Sequence, residues 1–489
     1  MIAFALVVLA AAPVGLEASV HELTLDNGMT WLVVERHDAP VFTGFVRVRV
    51  GGVDEAPGQT GLAHLFEHLA FKGTPVLGTK DWKAEAPLLE QLQKVGDALA
   101  ALERAGKSGT DEGKALALEL ARLSKAHQAL TDENALTRLY QQAGAVGLNA
   151  TTDKDLTSYY VSLPRNRLEL WLTVEAQRFA SPVLRDFYTE RAVVQEERLR
   201  SIETNPGGVM YEELNQLAFV SSPYRWPTVG YADDLKALSL AEAHAFFETH
   251  YRASNAVGCI VGDVTVEEVR RLLDKTFAHL PRKPRPAEPA FSEPPQRAER
   301  RSTVTFDAKP RLLLGFRKPP PPARDDAIFD VFDVLLGEGN TARLTQRLVY
   351  RDRLAQAVGT FTGPGNRYEG LFIISVIPLE GAKLEAVEAA LWDELGRLAQ
   401  KPVEAKELEK VRNRVTANLA RAQETNAGLA SALSRFEALL GDWRYVVELP
   451  RTIDSITAEE VRAAAAKYFV RTNSVTVSLP PAVGEGKSR

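Results

Sequence analysis

Cysteine is almost missing from this chain of 489 residues: there is one, Cys259, inside the apolar run AVGCIVG. An internal disulfide is therefore excluded, as is a metal site built on cysteine, and the residue reads as a small buried hydrophobe. Beyond the N-terminus no apolar run reaches the roughly 20 residues needed to span a bilayer. Nor does charge of one sign accumulate: 59 Lys and Arg against 64 Asp and Glu, well mixed, leave a formal charge of -5. That balance offers no electrostatic footprint for a polyanion, so nucleic acid is not an expected partner. Histidine is scarce too, at eight residues.

Apolar residues make up 45% of the chain, enough for two or more cores, and a multidomain globular protein is the starting expectation. The first residues, MIAFALVVLAAAPVGLEAS, hold an apolar block from Ile2 to Ala12 and small residues up to Ala18. This is the pattern of a secretory signal over 1–18, although no Lys or Arg precedes the block, and it implies a periplasmic or secreted protein.

HELTLDNGMTWLVVERHDAPVFTGFVRVRVGG alternates apolar and polar residues around Asp26-Asn27-Gly28. That predicts a hairpin followed by a strand over 41–50. Residues 87–130 differ in texture: Leu88, Leu92, Val95, Leu99 and Leu102, then Leu116, Leu120, Leu123, His127 and Leu130, repeat at spacings of three and four around a glycine-bearing turn. They predict an antiparallel helical hairpin with His127 as a polar residue in its seam. An internal repeat appears further on, where DLKALSLAEAHAFFETHYRASNAVGCIVG matches TIDSITAEEVRAAAAKYFVRTNSVTVSLP at an offset of 218 residues. Each copy reads as a Ser or Thr cap with Glu three residues later, a helix, an Asn turn and a buried strand. The proline-rich stretch 282–299 reads as a linker. The expected fold is α+β, with two related domains at 19–281 and 300–481. Each is an antiparallel sheet packed with helices, and the hairpin is inserted in the first.

The chemistry gathers in HLFEHLAFKGT, residues 64–74. His64 and His68, four apart on a helix, present two imidazoles on one face, as a tetrahedral metal needs. Glu67 shares that face, where a carboxylate can take a proton from metal-activated water without occupying the metal. A third ligand must come from elsewhere. FYTERAVVQEERLRS (187–201) offers Glu190 and Glu197, two turns apart on one face, and Glu196 about 100° round the helix. On spacing alone any of the three can be the ligand, and solvated surface is the default for such a charge run.

HLFEHLAFKGT, GLNATTDKDLTSYY (147–160) and ERAVVQEE (190–197), in that order, resemble the pitrilysin/insulinase family of zinc peptidases, whose inverted motif is His-x-x-Glu-His. The likeness is greatest to its bacterial processing-peptidase-like members and covers residues 20 to 480. It implies one Zn2+ per chain held by His64, His68 and Glu197, with Glu67 as general base and Glu190 as a supporting carboxylate. It implies that Asn149 and Ala150 lie on a short edge strand to which extended substrate adds. The implied activity is that of a zinc metalloendopeptidase hydrolysing extended or unfolded peptides. His68 and Glu197 stand 129 residues apart, further than is usual in the family, and the hairpin accounts for most of the excess.

The second domain departs from the family pattern. Active members place an Arg and a Tyr there to orient substrate and stabilise the oxyanion, whereas ARLTQRLVYRDRLAQAV (342–358) puts Val349 and Gln356 at those positions. Arg343 and Tyr350 keep the right separation but not the right place. The expected partner is therefore a homologous zinc-less subunit that supplies the pair, making a heterodimer. A self-sufficient homodimer, or a noncatalytic assembly or binding subunit on the same fold, are the alternatives.

Overall fold

A computed structural model describes residues 15–481; residues 1–14, most of the signal-like segment, lie outside the described residues. Among the described residues no helix is long and apolar enough to cross a membrane. The Asn27-Gly28 turn forms as read: Gly28 takes a φ of +89°, and β1 (Val20–Thr24) pairs antiparallel with β2 (Thr30–Glu35). β3 (Val41–Val48), β4 (Val146–Thr152), β5 (Thr157–Pro164) and β6 (Ala256–Gly262) complete a six-stranded sheet ordered β1-β2-β6-β3-β5-β4. A second sheet contains β7 (Arg300–Thr303), β8 (Arg311–Lys318), β9 (Ala355–Gly363), β10 (Gly370–Pro378) and β11 (Ser474–Leu479), ordered β7-β11-β8-β10-β9. Apart from β1 the two orders are the same, so the α+β fold with two related halves is borne out.

The purely antiparallel sheets are not. In each half the last strand slides between two that run in opposite directions, so it must be parallel to one of them. β6 is parallel to β2 and antiparallel to β3; β11 is parallel to β7 and antiparallel to β8. A helix feeds each inserted strand, Leu240–His250 in the first half and Ala458–Tyr468 in the second, with reciprocal caps at Ser239/Glu242 and Thr457/Glu460. The Asn turns match as well. Asn255 donates to the carbonyls of Arg49 and His250, and Asn473 to those of Arg317 and Tyr468.

One face of each sheet packs on helices of its own half, around Trp31, Phe42 and Trp171 in the first and Phe316, Phe329 and Phe372 in the second. The other face is covered by a helix from the opposite half. Pro206–Ala218 lays Met210, Leu214 and Ala218 on the second sheet, while Asn426–Leu440 lays Leu429, Ala430 and Leu433 against Phe45, Cys259 and Val261 of the first. Burying each such leucine contributes about 1.5–3 kcal/mol, so the exchange locks the halves together. The stretch between them is held as well: Glu293 accepts backbone N–H groups of Val220, Ser221 and Ser222 and pairs with Arg317 at 2.7 Å.

The helical hairpin consists of Trp82–Arg104 and Asp111–Gln128, joined through Leu92, Leu99, Leu120 and Leu123. Its two ends meet, with the Lys80 N–H on the Leu130 carbonyl (2.8 Å) and the Asp132 N–H on that of Gly78 (3.0 Å). His127 is buried at this base, where its Nε2 lies 3.0 Å from Glu85. The leucine seam thus ends in a buried polar contact.

Candidate metal centre

The histidine helix, Leu62–Leu69, begins at Gly61, whose φ is +88° and where a Cβ would stand 2.5 Å from the Val229 carbonyl oxygen. Only glycine fits that position. Glu55 closes the helix start by accepting the N–H groups of Gly61 (3.0 Å) and Ala63 (2.8 Å). Leu62, Leu65, Phe66 and Leu69 are buried in the first core, with Phe66 stacked on Phe247. The opposite face therefore turns His64, Glu67 and His68 outward together.

The glutamate helix, Phe187–Arg198, lies alongside, and the ambiguity left by spacing disappears. Glu196 is exposed, whereas Glu197 Oε2 lies 3.6 Å from His64 Nε2 and 3.8 Å from His68 Nε2. These ligand atoms all fall within 4.8 Å of one another, and no other His, Cys, Asp or Glu group among the described residues does so. Atoms bound tetrahedrally to zinc at about 2.0–2.1 Å stand about 3.4 Å apart, so the two contacts from Glu197 to the histidines need to close by only a few tenths of an ångström.

The electrostatics of the metal-free site differ between its two histidines. Burial, with His68 adding to it, pushes His64 down to about 4, so its imidazole is neutral. His68 Nδ1 lies 3.1 Å from Glu190 Oε2, a contact that orients the ring with Nε2 toward Glu197; burial alone would lower His68, but Glu190, Glu197 and Glu67 prevail and raise it, so a metal must displace a proton there. Glu190 in turn takes Lys72 Nζ at 2.6 Å. Burial alone would raise Glu190, but the hydrogen bonds from His68 and Lys72 prevail and bring it to about 2. Burial, reinforced by Glu197 and opposed by Thr152 and His68, holds Glu67 above the usual carboxylate range. A carboxylate so placed is a stronger proton acceptor.

β4 is the terminal strand of its sheet and pairs with β5 alone, with Asn149 opposite Tyr160 and Ala150 opposite Tyr159. Asn149 is exposed, Ala150 is buried, and among the described residues no strand pairs with the far edge of β4. Thr152, at the end of the same strand, lowers the Glu67 carboxyl against the effect of burial and so links this edge to the histidine helix. Sequence reasoning had passed over Lys72, Thr152 and Glu55. Lys72 had a usable signal, since it stands four residues after His68; Thr152 comes from the end of β4 and Glu55 from the loop before the histidine helix, and no local pattern announces either.

In the second half, the candidate Arg and Tyr are engaged elsewhere or exposed. Arg343 is held by Glu407 in two hydrogen bonds of 2.9 and 2.6 Å, and Tyr350 points outward at 53% exposure. Val349 is half-buried against the second core, and Gln356 is exposed on β9.

A family model described as Insulinase (Peptidase family M16) matches residues 32–104 and 113–230, and one described as Peptidase M16 inactive domain matches 237–415. The first is interrupted at the tip of the helical hairpin. The zinc protease PqqE of Helicobacter pylori is 26% identical over 473 residues, covering 94% of this chain and 93% of that protein. Among solved structures, a protease from Helicobacter pylori superposes with a TM-score of 0.78 at 24% identity, over 94% of this chain and 99% of the other. The periplasmic protease PqqL from Escherichia coli superposes with a TM-score of 0.70 at 15% identity, over 94% of this chain but 47% of that one.

Proposed function

Because the chain belongs to the insulinase family of zinc peptidases, peptidase family M16, we propose that it is the zinc-bearing subunit of a metalloendopeptidase that cleaves extended or unfolded peptides. The observation carrying this reading is the convergence of His64 Nε2, His68 Nε2 and Glu197 Oε2, with Glu67 on the same helix face. One Zn2+ held by these three residues would supply the Lewis acid that polarises a peptide carbonyl and acidifies water. Glu67 takes the proton from the attacking water and returns it to the leaving amine. Glu190 and Lys72 keep His68 oriented. Asn149 and Ala150 bind the substrate backbone along the open edge of β4, which demands an extended chain and excludes folded proteins.

The partner follows from what is missing. By the family's sequence pattern Val349 and Gln356 occupy the Arg and Tyr positions, and Arg343 is committed to Glu407. A homologous, zinc-less subunit that brings the pair completes the centre. The match of this chain to about half of PqqL supports the idea that two such units make one working peptidase. The purified chain alone should bind zinc stoichiometrically, lose it on Glu197→Gln, and turn over peptides only when the co-purifying subunit is added. Robust turnover by a homogeneous preparation refutes the heterodimer in favour of a self-sufficient homodimer. A folded chain that takes no zinc refutes the enzyme in favour of a noncatalytic assembly subunit, a second reading favoured only by the lost Arg and Tyr. Export to the periplasm or beyond rests on the apolar segment Ile2–Ala12. N-terminal sequencing of protein from the host tests it, with a mature start near Ser19 expected.

A further inference from the structure

The buried contact at the base of the helical hairpin leads toward the metal centre. Arg185, 2% exposed, lies immediately before the glutamate helix and divides its donors between two elements. Its Nε donates to Glu85 of the hairpin at 2.6 Å. Its Nη1 and Nη2 donate to the carbonyls of Lys72 (2.8 Å), Leu77 (3.2 Å) and Thr74 (2.9 Å), in the loop that follows the histidine helix. Glu85 is fully buried, and the same Oε1 that accepts from Arg185 Nε also lies 3.0 Å from His127 Nε2. His127 Nδ1 faces Asp186 at 3.8 Å, Lys72 Nζ stands 3.8 Å from Asp186 and 2.6 Å from Glu190, and Glu190 meets His68. A line of ionisable side chains, two of its links at 3.8 Å, thus runs from the hairpin to His68.

The helices also touch directly. A Cβ at Gly96, in the first hairpin helix, would fall 1.8 Å from the hydroxyl of Tyr188, at the start of the glutamate helix. Glycine there lets the hairpin lie against that helix. Further along, Arg104 binds the Ala237 carbonyl at 2.8 Å and Glu242 at 2.6 and 2.5 Å, mooring the distal end of the hairpin to the same half. Filling this base with apolar side chains would pack as well; buried charges that must all be partnered add a single permitted geometry. A helix is stiff over two turns, so whatever holds Arg185 to Tyr188 holds Glu190 and Glu197 as well.

We propose that the helical hairpin is a brace for the metal centre, in which Glu85, His127 and Arg185 are positioning residues that set the glutamate helix, and with it Glu197, against His64 and His68. The proposal rests on the zinc reading above. Its test is zinc affinity by chelator competition, with amide hydrogen exchange over 187–198 and apo-protein melting recorded alongside. His127→Leu and Glu85→Gln should weaken zinc binding about tenfold, the lower end for outer partners of a ligand, and speed exchange in 187–198. His127→Gln, which keeps a donor for Glu85, should recover most of the loss, and Leu118→Ser on the exposed hairpin surface should change nothing. Should Glu85→Gln fail to fold, His127→Leu, which leaves the Glu85–Arg185 pair in place, carries the test. Affinity within twofold of wild type and unchanged exchange overturn the brace alone, even if melting falls, because the hairpin would then be only packing. A wild-type chain that binds no zinc overturns both the brace and the metal reading.

Discussion

Glu190→Gln offers the sharpest test of the centre, because it keeps shape and changes only what one carboxylate does for two donors. In the native chain Oε1 accepts from Lys72 at 2.6 Å and Oε2 faces His68 Nδ1 at 3.1 Å. An amide has one oxygen. If it turns that oxygen to the Lys72 ammonium, the stronger donor, its NH2 meets His68 Nδ1, and the favourable pairing moves the imidazole proton to Nε2. Nε2 is the atom 3.8 Å from Glu197, so the lone pair meant for the metal is lost until the tautomer is forced back. If the amide turns the other way, Lys72 loses its carboxylate a few ångströms from a dication. Either choice removes the negative charge that raises the basicity of His68. Losing an outer partner of a histidine ligand costs about 10–100-fold in metal affinity, or about 1.4–2.8 kcal/mol. The assay is chelator competition at neutral pH, with melting of the apo-protein as the control for folding. A folded variant that binds zinc within twofold of wild type would refute the assignment of His68 as a ligand oriented by Glu190.

Other outcomes follow from the same structure. Glu67→Gln should leave zinc stoichiometry intact and lower turnover of the reconstituted pair by about 100-fold or more; peptide cleavage with parallel metal analysis checks it. Leu433→Ala removes a fully buried side chain from the helix that the second half lays on the first sheet. Chemical denaturation should show a loss of about 2–5 kcal/mol. In the hairpin base, burial would raise Glu85, but the hydrogen-bonding partners His127 and Arg185 prevail and lower it from 4.5 to about 2. Its folded-state value lies below its unfolded one, so its stabilising contribution is complete above pH about 4.5 and is lost as the pH falls through about 2. Melting across that window should fall less steeply in Glu85→Gln than in wild type; parallel curves would refute the assignment.

Much of this was legible because it is local. The Asn27-Gly28 turn, the leucine spacing of the hairpin, the two caps at Ser239 and Thr457 and the His64–His68 pair all rest on interactions within a few residues of chain. The inserted strands were not legible. Nothing in AVGCIVG says that it will lie between β2 and β3, because an apolar run buried on both faces carries no mark of its neighbours. The exchanged helices were hidden for a related reason: Pro206–Ala218 and Asn426–Leu440 show an apolar face but not whose sheet it meets. At the site, spacing left Glu190, Glu196 and Glu197 equal, and the choice came only when the glutamate helix was laid beside the histidine helix.

The sequence by itself determined the parts of this protein that depend on helix and strand periods: which residues share a face, where helices start, that two halves repeat, and that His64, Glu67 and His68 stand together. Only the tertiary structure decided which glutamate faces the two imidazoles, that Lys72 and Glu190 orient one of them, and that a hairpin some way along the chain is joined to both through Arg185. The physical reason is one of range. Periodicity is written in neighbours along the chain, whereas a ligand set, a buried ion pair and a strand inserted between two others are distances between segments that only packing brings together.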